Sequence, residues 1–434
     1  MKWRSRLPPP KECWIRDSTP ARRAALEILR AVRAGAPLGE ARDGAVSNLA
    51  ERDRRLAYEL SAGVLRRQAE LDRALELERA DPRLHDVLRL GAYQLRCLTR
   101  VPRHAAVSTS VELARETAGE GPARFVNQAL RKLGVGDRVP ATGSSHPAWL
   151  VRRWTARFGP VETQQLLAWN DTKPALTLQP ARWDQATLAK RLHDAGLGVT
   201  EAPFGAGLRA AGAIPRDLPG YSEGAFIVQD AAHALVARYA AIPPGSVVYD
   251  ACAAPGGKAV ALERTGVRVV AGDARLDRLP RLKDTARRAG VAIRCLAADL
   301  EAAPLGSGRL DAVVVDAPCS ATGTMARHPD ARWRLTPELF PRAAARQARL
   351  LAAAAPLVRE GGGLLIYATC SLEPEENTAV VEDFLSRHPE FARAPSPAGV
   401  PAELLTAEGD FQSLPQRHGI DGAYAARLAR RGPA

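Results

Sequence analysis

Two cysteines have the surroundings of reactive thiols, because each follows a short apolar run typical of a buried strand. Cys319 comes soon after residues 311–315, and Cys370 comes soon after residues 364–368. A thiol with an ordinary pKa of about 8.5 is only a few per cent ionised at pH 7, and a nearby cation such as Lys258 would increase that fraction. A single cysteine is most often a small buried hydrophobic residue. Two at successive strand ends, beside a loop suited to a cofactor, favour a pair of catalytic thiols.

That loop consists of small residues, DACAAPGGK, and runs from Asp250 at the end of one strand into a helix. Small residues let the backbone approach a ligand closely, and the start of a helix offers free N–H donors. The spacing excludes the phosphate-binding G-x-x-x-x-G-K-[ST] loop and also G-x-G-x-x-G. The candidate cofactor-binding residues of this loop are Cys252, Ala253, Ala254, Pro255, Gly256, Gly257 and Lys258.

The next three predicted strands each end at an acidic residue: Asp273, Asp299 and Asp316. A carboxylate at the end of the second strand is well placed to accept hydrogen bonds from ribose hydroxyls. A lone Asp in a loop is more often a turn former, but three successive strand ends that each bear an Asp or a glycine turn favour a ligand site. Because no arginine is evident for a second phosphate, an adenosine-type ligand fits better than a dinucleotide.

These loops need a parallel sheet to position them, and the C-terminal part of the chain has the pattern for one. From residue 226 onward, short apolar runs alternate with helical stretches. This alternation predicts βαβ units, and such sheets bind ligands beyond the carboxyl ends of their strands. The predicted strands cover residues 246–251, 267–272, 293–298, 311–315 and 364–368. We therefore predict an α/β Rossmann-like catalytic domain over residues 226–434.

The first third of the chain has apolar residues at helical spacing and predicts an all-helical bundle over residues 18–134. Thr19 can cap a first helix that begins at Pro20. The apolar stripe of that helix consists of Ala25, Ile28, Leu29 and Val32. The other predicted parts of this multidomain chain are a flexible tail over residues 1–17, a linker over residues 135–146 and a small α+β subdomain over residues 147–225.

The charge is uneven along the 434 residues, whose net charge is +13. Residues 1–140 contain 27 Lys and Arg against 18 Asp and Glu (+9), and the remainder contains 34 against 30 (+4). This balance fits a nucleic acid or an anionic membrane surface, although a solvated basic surface explains it equally well. No apolar run reaches the ~18–20 residues of a membrane span and no signal peptide is evident. We expect a cytoplasmic protein that spans no membrane.

The cysteines give no sign of a metal or of disulfides. The six lie at positions 13, 97, 252, 295, 319 and 370, and no two form a C-x-x-C pair. Their spacing fits neither a zinc site nor a disulfide framework. We therefore expect free thiols and no metal.

The motifs DACAAPGGK, VVVDAPCSATG and YATCSLEPEEN resemble those of the bacterial Sun/RsmB family of ribosomal RNA cytosine-5 methyltransferases. The helical first third resembles the NusB-like RNA-binding domain fused to those enzymes. Matching segments lie at residues 59–66, 88–95, 104–107, 125–131, 145–150, 228–230 and 419–424, so that the likeness runs from about residue 18 to about residue 430. The chain departs from the family at residues 178–181, where an Arg-Val-Asn-like segment is usual, and at residues 421–424, where an aromatic pair is usual.

The resemblance implies a mechanism and a role for each candidate residue. Cys370 attacks carbon 6 of a cytosine, carbon 5 takes the methyl group of S-adenosylmethionine, and Cys319 aids release. Asp316 contacts the N3 and amino edge of the base, and Lys258 binds the base or tunes a thiol. The residues implied to hold the cofactor are those of the loop from Cys252 to Lys258, Asp273 on the ribose, Asp299 and Asp316. The implied partner is small-subunit ribosomal RNA, bound by a monomer.

Three other functions stay open at this point. Transfer RNA is an alternative substrate. A DNA cytosine-5 methyltransferase would instead use the cysteine of the Pro-Cys loop, Cys319, as its nucleophile. A catalytically inactive RNA-binding assembly or antitermination-type factor would keep the fold without cofactor binding. The second cysteine loop and the NusB-like part favour RNA methylation over these alternatives.

Overall fold

The computed structural model describes residues 19–133, 145–212 and 214–432. The chain divides into two compact units, one ending at Val151 and the other beginning at Arg152. The predicted tail over residues 1–17 lies outside the described residues, and so does the predicted linker over residues 135–146 except for its last two residues.

The first unit is a helical bundle, as the sequence predicts. Its helices are α1 (Pro20–Arg33), α2 (Leu38–Ala45), α3 (Glu51–Leu75), α4 (His85–Cys97), α5 (Arg103–Ala118) and α6 (Glu120–Lys132). The predicted stripe on α1 is buried. Thr19 occupies the N-cap position and α1 begins at Pro20, as predicted, but the Thr19 side chain makes no capping hydrogen bond. Its carbonyl accepts instead from the amides of Arg22 and Arg23.

A small antiparallel sheet with one helix forms the predicted α+β subdomain. It follows α7 (Ala148–Asn170), which is bent at Gly159. Its elements are β1 (Leu176–Pro180), α8 (Gln185–Asp194), β2 (Val199–Glu201), β3 (Leu208–Ala210) and β4 (Phe226–Val228), in the sheet order β2-β3-β1-β4. Because Val228 of β4 pairs with Leu178 of β1, the sheet extends past residue 225, where the sequence had placed the boundary.

The large sheet contains the five predicted parallel strands, each within two residues of its predicted bounds. They are β5 (Val247–Ala251), β6 (Arg268–Asp273), β7 (Arg294–Ala297), β8 (Ala312–Asp316) and β9 (Leu364–Thr369). Three strands that were not predicted complete the sheet: β10 (Phe391–Arg393), β11 (Phe411–Ser413) and β12 (Ala423–Arg430). The order is β10-β12-β9-β8-β5-β6-β7, with β11 beside β12. β12 runs antiparallel to β9, β10 and β11.

Helices cover both faces of this sheet, which is why its strands are apolar on both sides. They are α9 (Ala231–Ala240), α10 (Gly257–Glu263), α11 (Leu279–Ala289), α13 (Leu339–Ala354) and α14 (Thr378–Arg387). Two short helices, α12 (Ala331–Arg334) and α15 (Pro415–His418), lie in the segments that connect strands β8 to β9 and β11 to β12. Residues of α13 and α14 share one core with the strands, and residues of α9, α10 and α11 share the other. The carboxyl ends of the parallel strands therefore stay free to carry loops at one edge.

Among the described residues, no helix combines the length and the apolar character that crossing a bilayer requires.

We expect Gly63→Ala to destabilise the helical bundle. A Cβ atom at Gly63 in α3 would lie 2.0 Å from Cζ of Tyr93 in α4, and overpacking of this kind costs about 1–3 kcal/mol. Hydrogen–deuterium exchange in α3 and α4 should therefore accelerate. Gly44→Ala in α2 is the matched control, since a Cβ there meets nothing within 4 Å and alanine favours the helix. Equal exchange in both variants would contradict the tight contact.

Candidate active site

The two cysteines selected from the sequence lie against each other. β8 and β9 are parallel neighbours, with Asp316 opposite Ala368, and the loops that follow them carry Cys319 and Cys370. The two Sγ atoms are 3.2 Å apart, and both side chains are only partly buried. Two thiols at this separation can act on the same small ring and can exchange a proton directly.

A buried carboxylate ties the two cysteine loops together. Glu376 is fully buried and accepts hydrogen bonds from the amide of Ser320 (2.8 Å), the hydroxyl of Ser371 (2.9 Å) and Nε2 of Gln347 (3.0 Å). The two serines directly follow the two cysteines. Burial raises the pKa of Glu376 while the three donors oppose that shift. One side chain thus fixes the spacing of both loops.

Further short-range contacts stiffen the loop after Cys370. The amide of Gly323 donates to the carbonyl of Cys370 at 3.0 Å. Asn377 Nδ2 donates to the carbonyl of Ser371 at 2.9 Å, and Asn377 Oδ1 accepts from the hydroxyl of Thr369 at 2.6 Å. The carbonyls of Cys370 and Ser371 are therefore held by Gly323 of the other cysteine loop and by Asn377 directly before α14.

Helix α7 also reaches this loop, through a second buried carboxylate. Glu373 is completely buried. Its carboxylate accepts hydrogen bonds from Nε1 of Trp154 (3.0 Å) and Nε of Arg153 (2.5 Å). Arg153 also pairs with Glu375 at 2.5 Å. Removing one partner of a buried ion pair leaves an uncompensated charge, so these contacts anchor the loop against α7.

Lys258 and Asp316 form an ion pair beside the thiols, with Nζ 2.7 Å from Oδ2. Nζ is also 3.0 Å from Nδ1 of His233 on α9. Burial lowers the pKa of Lys258, but Asp316, together with Cys370 and Asp250, outweighs it and the net shift is upward. Lys258 therefore remains a cation. His233 was not predicted as a site residue. The one feature of the sequence that could have indicated it is its position one helical turn after Asp230.

The Cys319 thiol keeps its proton. Its hydrogen bond with Cys370 and its burial both raise its pKa well above the usual value. A thiol of this kind suits proton donation better than nucleophilic attack.

The small-residue loop turns sharply after β5 and carries an unsatisfied carboxylate. Neither oxygen of Asp250 has a hydrogen-bond partner among the described residues, and the residue is fully buried. Burial, followed by the charge of Asp316, raises the pKa of Asp250 to about 8. Gly256 has φ 104°, and a Cβ at Gly257 would lie 3.1 Å from Nε2 of Gln229. The loop thus combines close backbone access with a free polar group.

The other two acidic candidates differ in their surroundings. Asp273 is buried and accepts from the amides of Ala254 (3.2 Å) and Arg275 (2.8 Å), so it links the end of β6 to the small-residue loop. Asp299 is exposed and accepts from the amide of Glu301 at 3.1 Å, the turn-forming role common for such a residue. Both lie at the same sheet edge, since the amide of Ala298 donates to the Asp273 carbonyl.

A cavity of about 620 Å³ opens over these groups. Its lining includes Lys258, Asp316, His233 and the loop residues Ala253–Pro255, and also β4 of the small sheet. Arg327, which the sequence did not indicate as a site residue, also lines this cavity. It pairs with Asp230 (2.6 Å) and Asp421 (2.9 Å). The small sheet thus forms one wall of the candidate site.

Comparisons with known proteins agree with this architecture. The NusB family model matches residues 19–134, a ferredoxin-like domain of RsmF/B-like methyltransferases matches residues 146–215, and the model described as 16S rRNA methyltransferase RsmB/F matches residues 240–429. The crystal structure of PH0851 superposes with a TM-score of 0.78 at 24% identity, covering 94% of this chain and 98% of that one.

Two curated relatives align over most of their length. Ribosomal RNA small subunit methyltransferase B of Pseudomonas putida is 35% identical over 438 residues, which cover 94% of this chain and 98% of the relative. A protein of Synechocystis named "Probable ribosomal RNA small subunit methyltransferase B" is 35% identical over 416 residues, which cover 87% and 91%. Fold and site together define a Rossmann-like, S-adenosylmethionine-dependent methyltransferase with a NusB helical domain. The chain belongs to the RsmB/F family of 16S ribosomal RNA methyltransferases.

We expect Glu376→Leu to separate the two thiols. Leucine accepts no hydrogen bond, so the amide of Ser320, the hydroxyl of Ser371 and Nε2 of Gln347 all lose their shared acceptor, and an unsatisfied buried group costs about 1–3 kcal/mol. Oxidation of the Cys319–Cys370 pair by diamide, followed by mass spectrometry, should become about tenfold slower or more. Glu382→Leu on α14 is the control, because its side chain is exposed and pairs with Arg393. An unchanged oxidation rate in Glu376→Leu would show that the carboxylate does not set the spacing.

Proposed function

We propose that this protein methylates carbon 5 of a cytosine in small-subunit ribosomal RNA, with Cys370 as covalent nucleophile and Cys319 aiding release. The observation that carries the proposal is the 3.2 Å separation of the two sulfurs, beside the Lys258–Asp316 pair. The names of the relatives support ribosomal RNA as the substrate. The positive charge of residues 1–140 (27 Lys and Arg against 18 Asp and Glu) supports phosphate contacts by the NusB-like part.

The residues at the sheet edge fit S-adenosylmethionine. The free Asp250 carboxylate suits a cationic amino group, and Gly257 leaves space that a side chain would fill. The residues that would hold this cofactor are Cys252, Ala253, Ala254, Pro255, Gly256, Gly257, Lys258, Asp273, Asp299 and Asp316. When bound, the cofactor supplies an electrophilic methyl group.

The side chains of the chain itself would divide the remaining work. The Cys370 thiolate forms a bond to carbon 6, which makes carbon 5 nucleophilic. Asp316, held by Lys258, contacts the N3 and amino edge of the base, where charge develops as the bond forms, so it favours the transition state. For release, the bond between carbon 6 and Cys370 Sγ breaks while the proton on carbon 5 leaves. Cys319 retains a proton and gives it to the departing Cys370 thiolate. The Cys319 thiolate so formed takes the carbon 5 proton, which returns Cys319 to its starting state. The target base must first leave its stack, which is cheapest in a loop or single strand.

We expect the affinity for S-adenosylhomocysteine, which has the same cationic amino group, to rise with pH between 6 and 8. Asp250 has a pKa of about 8, so below pH 8 it must release a proton before it can pair with a cation, and affinity gains up to about tenfold per pH unit. Calorimetry in buffers of different ionisation enthalpy measures both the affinity and the number of protons released on binding. Asp250→Asn should abolish the slope, whereas Asp299→Asn should retain it. A flat profile in the wild-type protein would contradict the pairing.

The two cysteines should give opposite results on substitution. Cys370→Ala should abolish methyl transfer and form no adduct, because the nucleophile is gone. Cys319→Ala should accumulate a covalent RNA–protein adduct, because release of Cys370 is slowed. Denaturing gels with labelled RNA and a methyl-transfer assay measure both outcomes.

Cys295→Ala, at a half-buried thiol of β7, is the control and should behave like the wild-type protein. If the cysteines exchange roles, with the adduct formed in Cys370→Ala on DNA, the protein is a DNA enzyme of the Pro-Cys type. Bisulfite sequencing of RNA separates ribosomal from transfer RNA as the substrate. Normal turnover by Cys319→Ala without an adduct would refute its assignment to release.

A further inference from the structure

His233 contacts the ion pair from a separate element. It lies in the first turn of α9, whereas Lys258 lies in the first turn of α10 and Asp316 ends β8. Nδ1 of His233 is 3.0 Å from Lys258 Nζ. The same Nζ atom is 2.7 Å from Asp316 Oδ2. All three side chains line the same cavity.

The contact fixes the state of the imidazole. An ammonium group has three donors and no acceptor, so Nδ1 must accept, and the ring proton of neutral histidine must be on Nε2. Burial, and then the charge of Lys258, lowers the pKa of His233 to about 4. The ring is therefore neutral at the pH values at which RNA enzymes work.

We propose that His233 is a positioning residue, which holds the Lys258 ammonium between its own Nδ1 and Asp316 so that this pair meets the target cytosine in one geometry. The proposal rests on the function proposed above. Lysine has a flexible four-carbon stem, and a single partner would leave its head group free to rotate about Asp316. Two acceptors use two of its N–H groups and leave the third for the base or the Cys370 sulfur.

The charged neighbours do not compete for this role. Asp230, which caps α9 three residues before His233, accepts from Arg327 at 2.6 Å and from the amide of Ala232 at 2.9 Å. Arg327 in turn pairs with Asp421. The acceptor that α9 offers to Lys258 is therefore His233.

The kinetic test compares His233→Ala with His233→Asn. Asn carries an acceptor oxygen close to the position of Nδ1 and should restore the contact, whereas Ala cannot. We expect His233→Ala to lower kcat about tenfold to a hundredfold, because it removes one hydrogen bond to a charged group. KM should change less than about twofold. His233→Asn should recover most of kcat. His193→Ala, at an exposed histidine of α8, should leave both constants unchanged.

A second readout does not depend on catalysis. In protein labelled with ¹⁵N-lysine, the Nζ resonance of Lys258, assigned from its loss in Lys258→Arg, should shift in His233→Ala and return towards the wild-type position in His233→Asn. An unchanged resonance overturns the proposal whether or not the protein is active. Wild-type protein that methylates no RNA, with the resonance shifted as expected, refutes the proposed function and leaves the contact established. Equal kcat in wild-type protein and His233→Ala overturns the positioning role.

Discussion

The candidate site depends on one carboxylate that accepts hydrogen bonds from both cysteine loops. A loop between a strand and a helix can adopt many conformations, and holding one of them costs conformational entropy. Glu376 offsets that cost twice, because it binds the amide after Cys319 and the hydroxyl after Cys370. Its burial makes each contact stronger than it would be in water. The sheet brings two strand ends together, and this side chain fixes the sulfurs at 3.2 Å.

The charges around the cavity follow a common pattern of partial compensation. Lys258 faces Asp316, and Arg327 faces Asp230 and Asp421, while Asp250 has no partner among the described residues. Burial and Asp230 raise the pKa of Asp421 to about 7. In this group of side chains, four carboxyl groups (Asp230, Asp250, Asp316 and Asp421) are accompanied by two cations, Lys258 and Arg327. This balance suits a site that receives a cationic ligand on one side and a base with polar edges on the other.

The sequence predicted the parallel strands because each is a short apolar run between turn formers. It also predicted that the cysteines would follow two successive strands at the same edge of the sheet. It did not reveal β10, β11 and β12, since two have three residues and β12 is rich in alanine and arginine. Nor could it choose among Glu373, Glu375 and Glu376, which share one short segment. Which of them is buried depends on α7 and α13, elements distant in sequence. His233 and Arg327 were missed for the same reason, because their partners lie on other elements.

The place of β12 has a consequence for synthesis on the ribosome. β12 is the last strand in chain order, yet it lies between β9 and β10, with Tyr424 opposite Thr369. The strand that leads to Cys370 therefore has an open edge until residues 423–430 have left the exit tunnel. A nascent chain halted before that point exposes an unpaired edge, which is the kind of surface that chaperones bind and that aggregates recruit.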